Sequence, residues 1–183
     1  MAVIAIDMDN VLCNLQEVVV KLFNKRYGTN YTIENFTDYD VSQNLPKNEA
    51  VLMKKMYAED NLYSNIKPLP NAQNVVEKLI NAGHQVYVVS DVIPKTYNEK
   101  VEWLHFYFPQ IDQAHIIAMK HKHLLRCDVM IEDNLQNLLA KPYYERICFD
   151  YAWNRNVSDY AYGIHRVSTW NEVMNVINKL DLE

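Results

Sequence analysis

Asp7 and Asp9 are separated by one residue in the run Asp7-Met8-Asp9-Asn10-Val11, directly after a short apolar stretch. Farther along come Ser90-Asp91, then Lys120-His121-Lys122-His123, then Glu132-Asp133-Asn134. Carboxylates, a hydroxyl and an ammonium make a set suited to binding Mg²⁺ and a phosphate together. A phosphate monoester repels an anionic nucleophile, so a carboxylate attacks it only where cations neutralise the phosphoryl oxygens. Mg²⁺ takes oxygen ligands and keeps several waters, so a few carboxylates suffice. An Asp can then form an aspartyl-phosphate, which splits one difficult displacement into two. A second acid protonates the leaving alkoxide and later deprotonates the hydrolytic water. A lysine, with a hydroxyl or backbone N–H groups, holds the transferring oxygens, because such catalysis is mainly positioning and electrostatics.

Each group taken singly has a plainer reading. An acid pair after a strand often caps a turn or helix, and Ser90 alone reads as a turn or cap hydroxyl. Lys122 alone reads as a solvated surface lysine. Their joint occurrence at successive strand ends, in this order, carries the combined reading. His121, His123 and Cys127 suggest zinc, but a strand follows and no complementary Cys/His pair appears, so polar residues flanking Lys122 are the preferred reading. Asp38, Asp40 and Asp159 read as loop or cap acids.

The elements that must position these groups follow from apolar patterning. Apolar runs at 2–6, 85–90, 115–119, 128–131 and 146–149, with a weaker one at 164–167, read as strands. Near-continuous apolar strands suit a parallel sheet covered on both faces. Helical patterns alternate with them. One begins at Asn71, with Val75, Val76, Leu79 and Ile80 on one face and Gly83 as its stop. Tyr97, Val101, Leu104 and Phe108 stripe another, which Pro109 ends. Thr169-x-x-Glu172 reads as a capping box ahead of Val173, Val176, Ile177 and Leu180. The expected fold is therefore α/β, a doubly wound parallel sheet, with ligands beyond the carboxyl ends of the strands.

Residues 14–70 break the alternation. Leu15, Val18, Val19, Leu22 and Phe23 form one helical face, and a second helix is expected near 47–59. The expected organisation is a core of residues 1–13 and 71–183 with a small helical insertion, residues 14–70, after the first strand.

Composition narrows the function. The 183 residues are 49% hydrophobic and 22% charged, as in ordinary globular proteins. A net charge of −5 argues against polymeric nucleic acid as the main ligand. Only Gly28, Gly83 and Gly163 occur, which excludes both the dinucleotide-binding and the P-loop glycine patterns. Cys13, Cys127 and Cys148 are too few and too far apart for a disulfide framework and suit a reduced, cytoplasmic protein. No apolar run reaches the roughly 18 residues of a membrane span, so a soluble protein with no membrane partner is expected. A homodimer is the expected assembly on general grounds.

With these residues in place, the chain resembles the haloacid dehalogenase superfamily. Asp7-Met8-Asp9-Asn10-Val11 resembles its first motif, Ser90 its second, Lys122 its third and Glu132-Asp133 its acidic fourth. The DMDNVL run, the short helical insertion and Phe149-Asp150-Tyr151-Ala152-Trp153-Asn154 are similar to the 5′(3′)-deoxyribonucleotidase family. The resemblance implies a HAD-like fold in which residues 14–70 form a cap. It implies that Asp7 is nucleophile and Mg²⁺ ligand, that Asp9 is acid/base and binds Mg²⁺ through its carbonyl, and that Asp133 is a ligand supported by Glu132. It places Ser90 and Lys122 on the phosphoryl group and prefers Lys122 to Lys120, because it lies ten residues before Glu132. Asp91 joins the phosphate loop, where a carboxylate repels an anion unless turned away or paired. Val11 replaces a common Thr, and Glu132 replaces an Asp.

The implied substrate is a deoxynucleoside monophosphate. Phe23, Tyr27, Tyr31 and Phe36 are candidate pocket residues, and Tyr39 also falls in the insertion. A general small-molecule or sugar-phosphate phosphatase is the nearest rival. A receiver-like phospho-switch is a rival of another class, disfavoured because here the acid pair follows the first strand and another follows the lysine.

Overall fold

The computed structural model describes residues 1–140, 143–180 and 182. Six strands, β1 (Val3–Ile6), β2 (Gln85–Ser90), β3 (Ile116–Ala118), β4 (Val129–Glu132), β5 (Glu145–Phe149) and β6 (Ile164–Val167), form one sheet. Their order is β3-β2-β1-β4-β5-β6, and every pairing is parallel. Each stretch read as a strand is one, with ends shifted by at most a residue or two. β4 runs one residue farther than the apolar run because the Glu132 backbone still pairs with Cys148.

The first crossovers build outward from β1 through β2 to β3, and the chain then returns to place β4 on the other side of β1. Ligand sites in such sheets lie where the order reverses, beyond the strand carboxyl ends. Asp7 and Glu132 stand at that reversal. The Asp7 N–H donates to Ile131 O at 2.9 Å and extends the β1–β4 ladder by one bond.

The helices are α1 (Leu15–Tyr27), α2 (Val41–Asn44), α3 (Lys47–Met56), α4 (Ala72–Asn81), α5 (Tyr97–Tyr107), α6 (Leu135–Leu139), α7 (Asp159–Tyr162) and α8 (Trp170–Ile177). α4 buries Val75, Val76 and Leu79 of the face its periodicity assigned, with Ala72 added and Ile80 half-buried. Each such Val or Leu contributes on the order of 2 kcal/mol of burial, so Val76→Asp would detach this helix from the sheet. Thr169 caps α8 by accepting the Glu172 N–H, while the Glu172 carboxylate accepts the Ser168 N–H, one residue before the cap.

Residues 14–70 hold α1, α2 and α3. α1 ends at Gly28, whose φ of 69° is the left-handed value that glycine adopts without cost, and its N–H returns to Asn24 O at 2.9 Å. Phe23, Phe36, Met53 and Met56 from this stretch share one apolar cluster with Ile4, Ile6, Val86 and Val129 of the sheet. Among the described residues no helix is long and apolar enough to cross a membrane. Cys13, Cys127 and Cys148 are all buried and unpaired.

Candidate active site

The loop after β1 starts the site. Asn10 has φ of 60°, a left-handed turn that Asn tolerates better than most residues. Three of its polar groups are used: Nδ2 donates to Asp133 Oδ2 at 3.1 Å, Oδ1 accepts the Gln16 N–H at 2.8 Å, and its carbonyl accepts the Tyr151 hydroxyl at 2.9 Å. This one residue joins the β1 loop to the β4 loop, to α1 and to the loop after β5.

Asp7, Lys122 and Glu132 meet in the interior. Lys122 Nζ lies 2.5 Å from Asp7 Oδ1 and 2.7 Å from Glu132 Oε1. The Met8 N–H also donates to Asp7 Oδ1, at 2.7 Å, which leaves Oδ2 without a hydrogen bond among the described residues. Lys122 is only 3% exposed, so it is not the solvated lysine of the plainer reading. Glu132 Oε1 also accepts Asn137 Nδ2 at 2.6 Å, and Oε2 accepts the N–H groups of Asp133 and Asn134 at 2.8 and 2.9 Å. Four donors thus saturate this carboxylate.

Charge is out of balance here. Burial and the charge of Glu132 push the Asp7 carboxyl up to about 8. Burial and the same neighbour raise Asp133 well above the usual carboxylate range. Burial opposes ionisation of Glu132 too, but the Lys122 charge and hydrogen bond outweigh it and hold this group low. Burial disfavours charged Lys122, yet Asp7 and Glu132 more than offset that and raise its pKa. Three buried carboxylates therefore share one buried ammonium. Oxygens of Asp7, Glu132 and Asp133 lie within 4.8 Å of one another, and Asp133 Oδ1 is buried with no partner among the described residues. An orphaned carboxylate oxygen in an acidic cluster is the place for a hard cation, and an all-oxygen donor set fits Mg²⁺.

A second cluster surrounds Asp9. Tyr63 donates to Asp9 Oδ1 at 2.8 Å, and Lys100 donates to Oδ2 at 2.7 Å. Lys100 also reaches Ser90 Oγ at 2.8 Å and the Asp91 carbonyl at 2.6 Å. Burial and the Asp9 charge raise the Tyr63 phenol and keep it a donor. Neither Lys100 nor Tyr63 was among the residues singled out from sequence. Lys100 interrupts the stripe Tyr97, Val101, Leu104, Phe108 on the buried side of α5, and a lysine on an apolar face is the signal that would have found it. Tyr63 lies in a short 3-10 turn, Leu62–Asn65, that periodicity does not reveal.

A cavity of about 600 Å³ opens from Asp9 toward residues 14–70, lined by Leu15, Gln16, Phe36, Tyr57, Tyr63 and Trp153 among others. Of the aromatic candidates, Phe36 lines it, as does Tyr39; Phe23, Tyr27 and Tyr31 do not. Phe23 is fully buried against Tyr27 and Tyr31, with ring centroids 4.7 and 6.3 Å away, and the Tyr31 hydroxyl is held by Glu49 at 2.8 Å. Phe23 is packed inside residues 14–70, Tyr31 is half-buried beside it, and Tyr27 is exposed on the surface. Asp91 also lines the cavity.

Comparison with known proteins gives the family and the fold. Residues 1–181 match the family described as 5′ nucleotidase, deoxy (Pyrimidine), cytosolic type C protein. A 5′(3′)-deoxyribonucleotidase of Bacillus subtilis (strain 168) is 30% identical over 175 residues, covering 93% of this chain and 95% of that one. A Staphylococcus epidermidis (strain ATCC 12228) protein provisionally given the same designation is 31% identical over 180 residues, 97% of each chain. In fold, the chain resembles a haloacid dehalogenase-like hydrolase of Streptococcus pneumoniae, with a TM-score of 0.66 at 14% identity over 97% of this chain and 98% of that one. The chain belongs to the type C deoxyribonucleotidase family of the haloacid dehalogenase superfamily and is a phosphatase of the 5′-nucleotidase kind.

Proposed function

We propose that this protein is a Mg²⁺-dependent phosphomonoesterase that dephosphorylates pyrimidine deoxynucleoside monophosphates through an aspartyl-phosphate on Asp7. The observation that carries the reading is Asp133 Oδ1, a buried carboxylate oxygen with no partner beside Asp7. Asp7 and Asp133 would hold the cation, together with the Asp9 carbonyl. Glu132 stands within the same acidic group, but its four donors assign it to holding Lys122 rather than to the metal. Bound Mg²⁺ would neutralise phosphoryl oxygens and so lower the repulsion that Asp7 meets.

The residues then divide the work. Asp7 attacks phosphorus as the bond from phosphorus to the nucleoside oxygen breaks. Asp9 gives that oxygen its proton, and then takes a proton from the water that attacks the phosphorylated Asp7. Phosphate leaves and Asp7 is restored. Tyr63 and Lys100 grip the Asp9 carboxyl from two sides and fix its direction. Lys122 and Ser90 stabilise the transferring oxygens. Residues 14–70 act as a cap that roofs the leaving-group cavity and excludes water. A volume of about 600 Å³ suits a nucleoside. The family description names deoxy and pyrimidine, which supports that substrate class. It also names the cytosol, and three buried free thiols are consistent with action there.

The test is a substrate panel of deoxynucleoside monophosphates and sugar phosphates, with Mg²⁺ and after chelation. Turnover of pyrimidine deoxynucleotides that chelation abolishes is the expected result. Sugar phosphates hydrolysed faster than every deoxynucleotide would refute the substrate assignment.

A further inference from the structure

Two residues that line the cavity beyond Asp9 carry polar groups that the catalytic reading does not use. Gln16 and Trp153 both line it, and each is 7% exposed. Trp153 Nε1 and Gln16 Nε2 are buried and have no hydrogen-bond partner among the described residues. Buried donors are nearly always satisfied, so two unsatisfied ones on a single cavity point to an absent acceptor.

Both groups are tied to the catalytic loop. The Trp153 ring stacks on Tyr151, centroids 4.3 Å apart and planes within 6°, and the Tyr151 hydroxyl donates to the Asn10 carbonyl. The Gln16 N–H donates to Asn10 Oδ1, and its Oε1 accepts the Tyr57 hydroxyl. Asn10 adjoins Asp9, so the two donors are held in a set relation to the acid that meets the leaving oxygen. Turning the Gln16 amide over would leave Oε1 free instead of Nε2. The chemistry of the ligand therefore rests on Trp153, whose indole only donates.

Charge limits the ligand further. The lining contains Asp9, Asp38, Asp40 and Asp91 against Lys54 and Lys100. Both ammonium groups are already paired, Lys54 with Asp40 at 2.9 Å and Lys100 with Asp9 at 2.7 Å. A leaving group with negative charge of its own finds no free cation in this lining. Leu15, Phe36, Val41 and Tyr57 supply apolar wall suited to a flat ring.

We infer that Trp153 and Gln16 determine specificity by donating hydrogen bonds to carbonyl oxygen on an uncharged, planar leaving-group base. This rests on the nucleotidase reading and deepens it. The bond is made to the part of the substrate that does not react, so it raises discrimination without touching phosphorus.

The experiment compares deoxyuridine monophosphate, whose base carries two carbonyls, with 2-deoxyribose 5-phosphate, which has no base. kcat/KM is measured for wild type, Trp153→Phe and Gln16→Leu. Each variant should lose about tenfold more on the nucleotide than on the sugar phosphate, because one donor to the base is gone. Either variant decides the matter if the other fails to fold. A general packing defect would lower both substrates together and leave the ratio unchanged. A wild-type preference for the nucleotide that survives both substitutions overturns this inference alone. A wild-type enzyme with no such preference overturns the nucleotidase reading, and this inference with it.

Discussion

Lys100 Nζ stands 2.7 Å from Asp9 Oδ2 and 2.8 Å from Ser90 Oγ, so a single buried ammonium on α5 joins the loop after β1 to the end of β2. Lys100→Met removes both contacts and keeps the bulk. The expected outcome is a fall in kcat of about 100-fold, the scale of misdirected general acid catalysis. The fall should be larger for alkyl phosphates than for p-nitrophenyl phosphate, whose leaving group needs no proton. Equal losses on the two would mean that Lys100 serves Ser90 and the phosphate rather than Asp9.

Asp133→Asn is expected to stabilise the metal-free protein while abolishing its response to Mg²⁺. The wild-type carboxylate is 1% exposed and has an oxygen with no partner, so removing its charge relieves strain of about 1–3 kcal/mol. Melting midpoints with and without Mg²⁺ check both halves. A destabilised variant that still responds to the cation would place the metal elsewhere.

Titration of the acidic cluster makes stability depend on pH. The Asp7 carboxyl is raised from 3.8 to about 8, and Asp133 is raised too. Across the window from about 4 to 8 the folded metal-free protein retains protons that the unfolded chain has released. Stability contributed by these two groups is therefore full at the acid end and declines as pH rises. Glu132, held low, acts in the opposite sense and loses its contribution on acidification. Asp133→Asn removes one of the two raised groups, so its advantage over wild type should grow from pH 5 to pH 8 without metal. Mg²⁺ should raise the wild-type midpoint more at pH 8 than at pH 5. An advantage that shrinks with rising pH would contradict the assignment.

Glu132→Gln tests whether that residue serves the lysine or the metal. Losing its charge leaves Lys122 with Asp7 as its remaining ion-pair partner among the described residues. The expected result is a loss of activity of about tenfold or more with Mg²⁺ affinity little changed, read by a Mg²⁺ titration of turnover. A large rise in the Mg²⁺ requirement would make Glu132 a ligand.

The sequence disclosed the parts whose signals are local. Five apolar runs and a weaker sixth marked the strands because parallel strands buried on both faces are continuous in sequence. Asp7, Ser90 and Asp133 could be singled out because each falls at or next to a strand end, whereas Lys122 lies four residues beyond β3 and was preferred to Lys120 on the family resemblance. Lys100 and Tyr63 were not, since what places them is the approach of α5 and a 3-10 turn to the β1 loop. The saturation of Glu132 was hidden for the same reason: its donors come from Lys122, Asn137 and the turn after β4. The aromatic residues of the insertion show the limit from the other side. An aromatic residue's type does not tell cavity wall from packed interior or surface: Phe36 lines the cavity, Phe23 is packed inside, Tyr31 is half-buried and Tyr27 is exposed.

Covalent phosphorylation of Asp7 is the claim most open to direct trial. A single turnover with Mg²⁺ and a deoxynucleoside monophosphate, quenched in acid and reduced with borohydride, converts an acyl phosphate to the corresponding alcohol. Peptide mass spectrometry should find position 7 converted to homoserine, with Asp9 and Asp133 intact. Conversion at another carboxylate, or at none while phosphate is released in a full burst, would contradict the account.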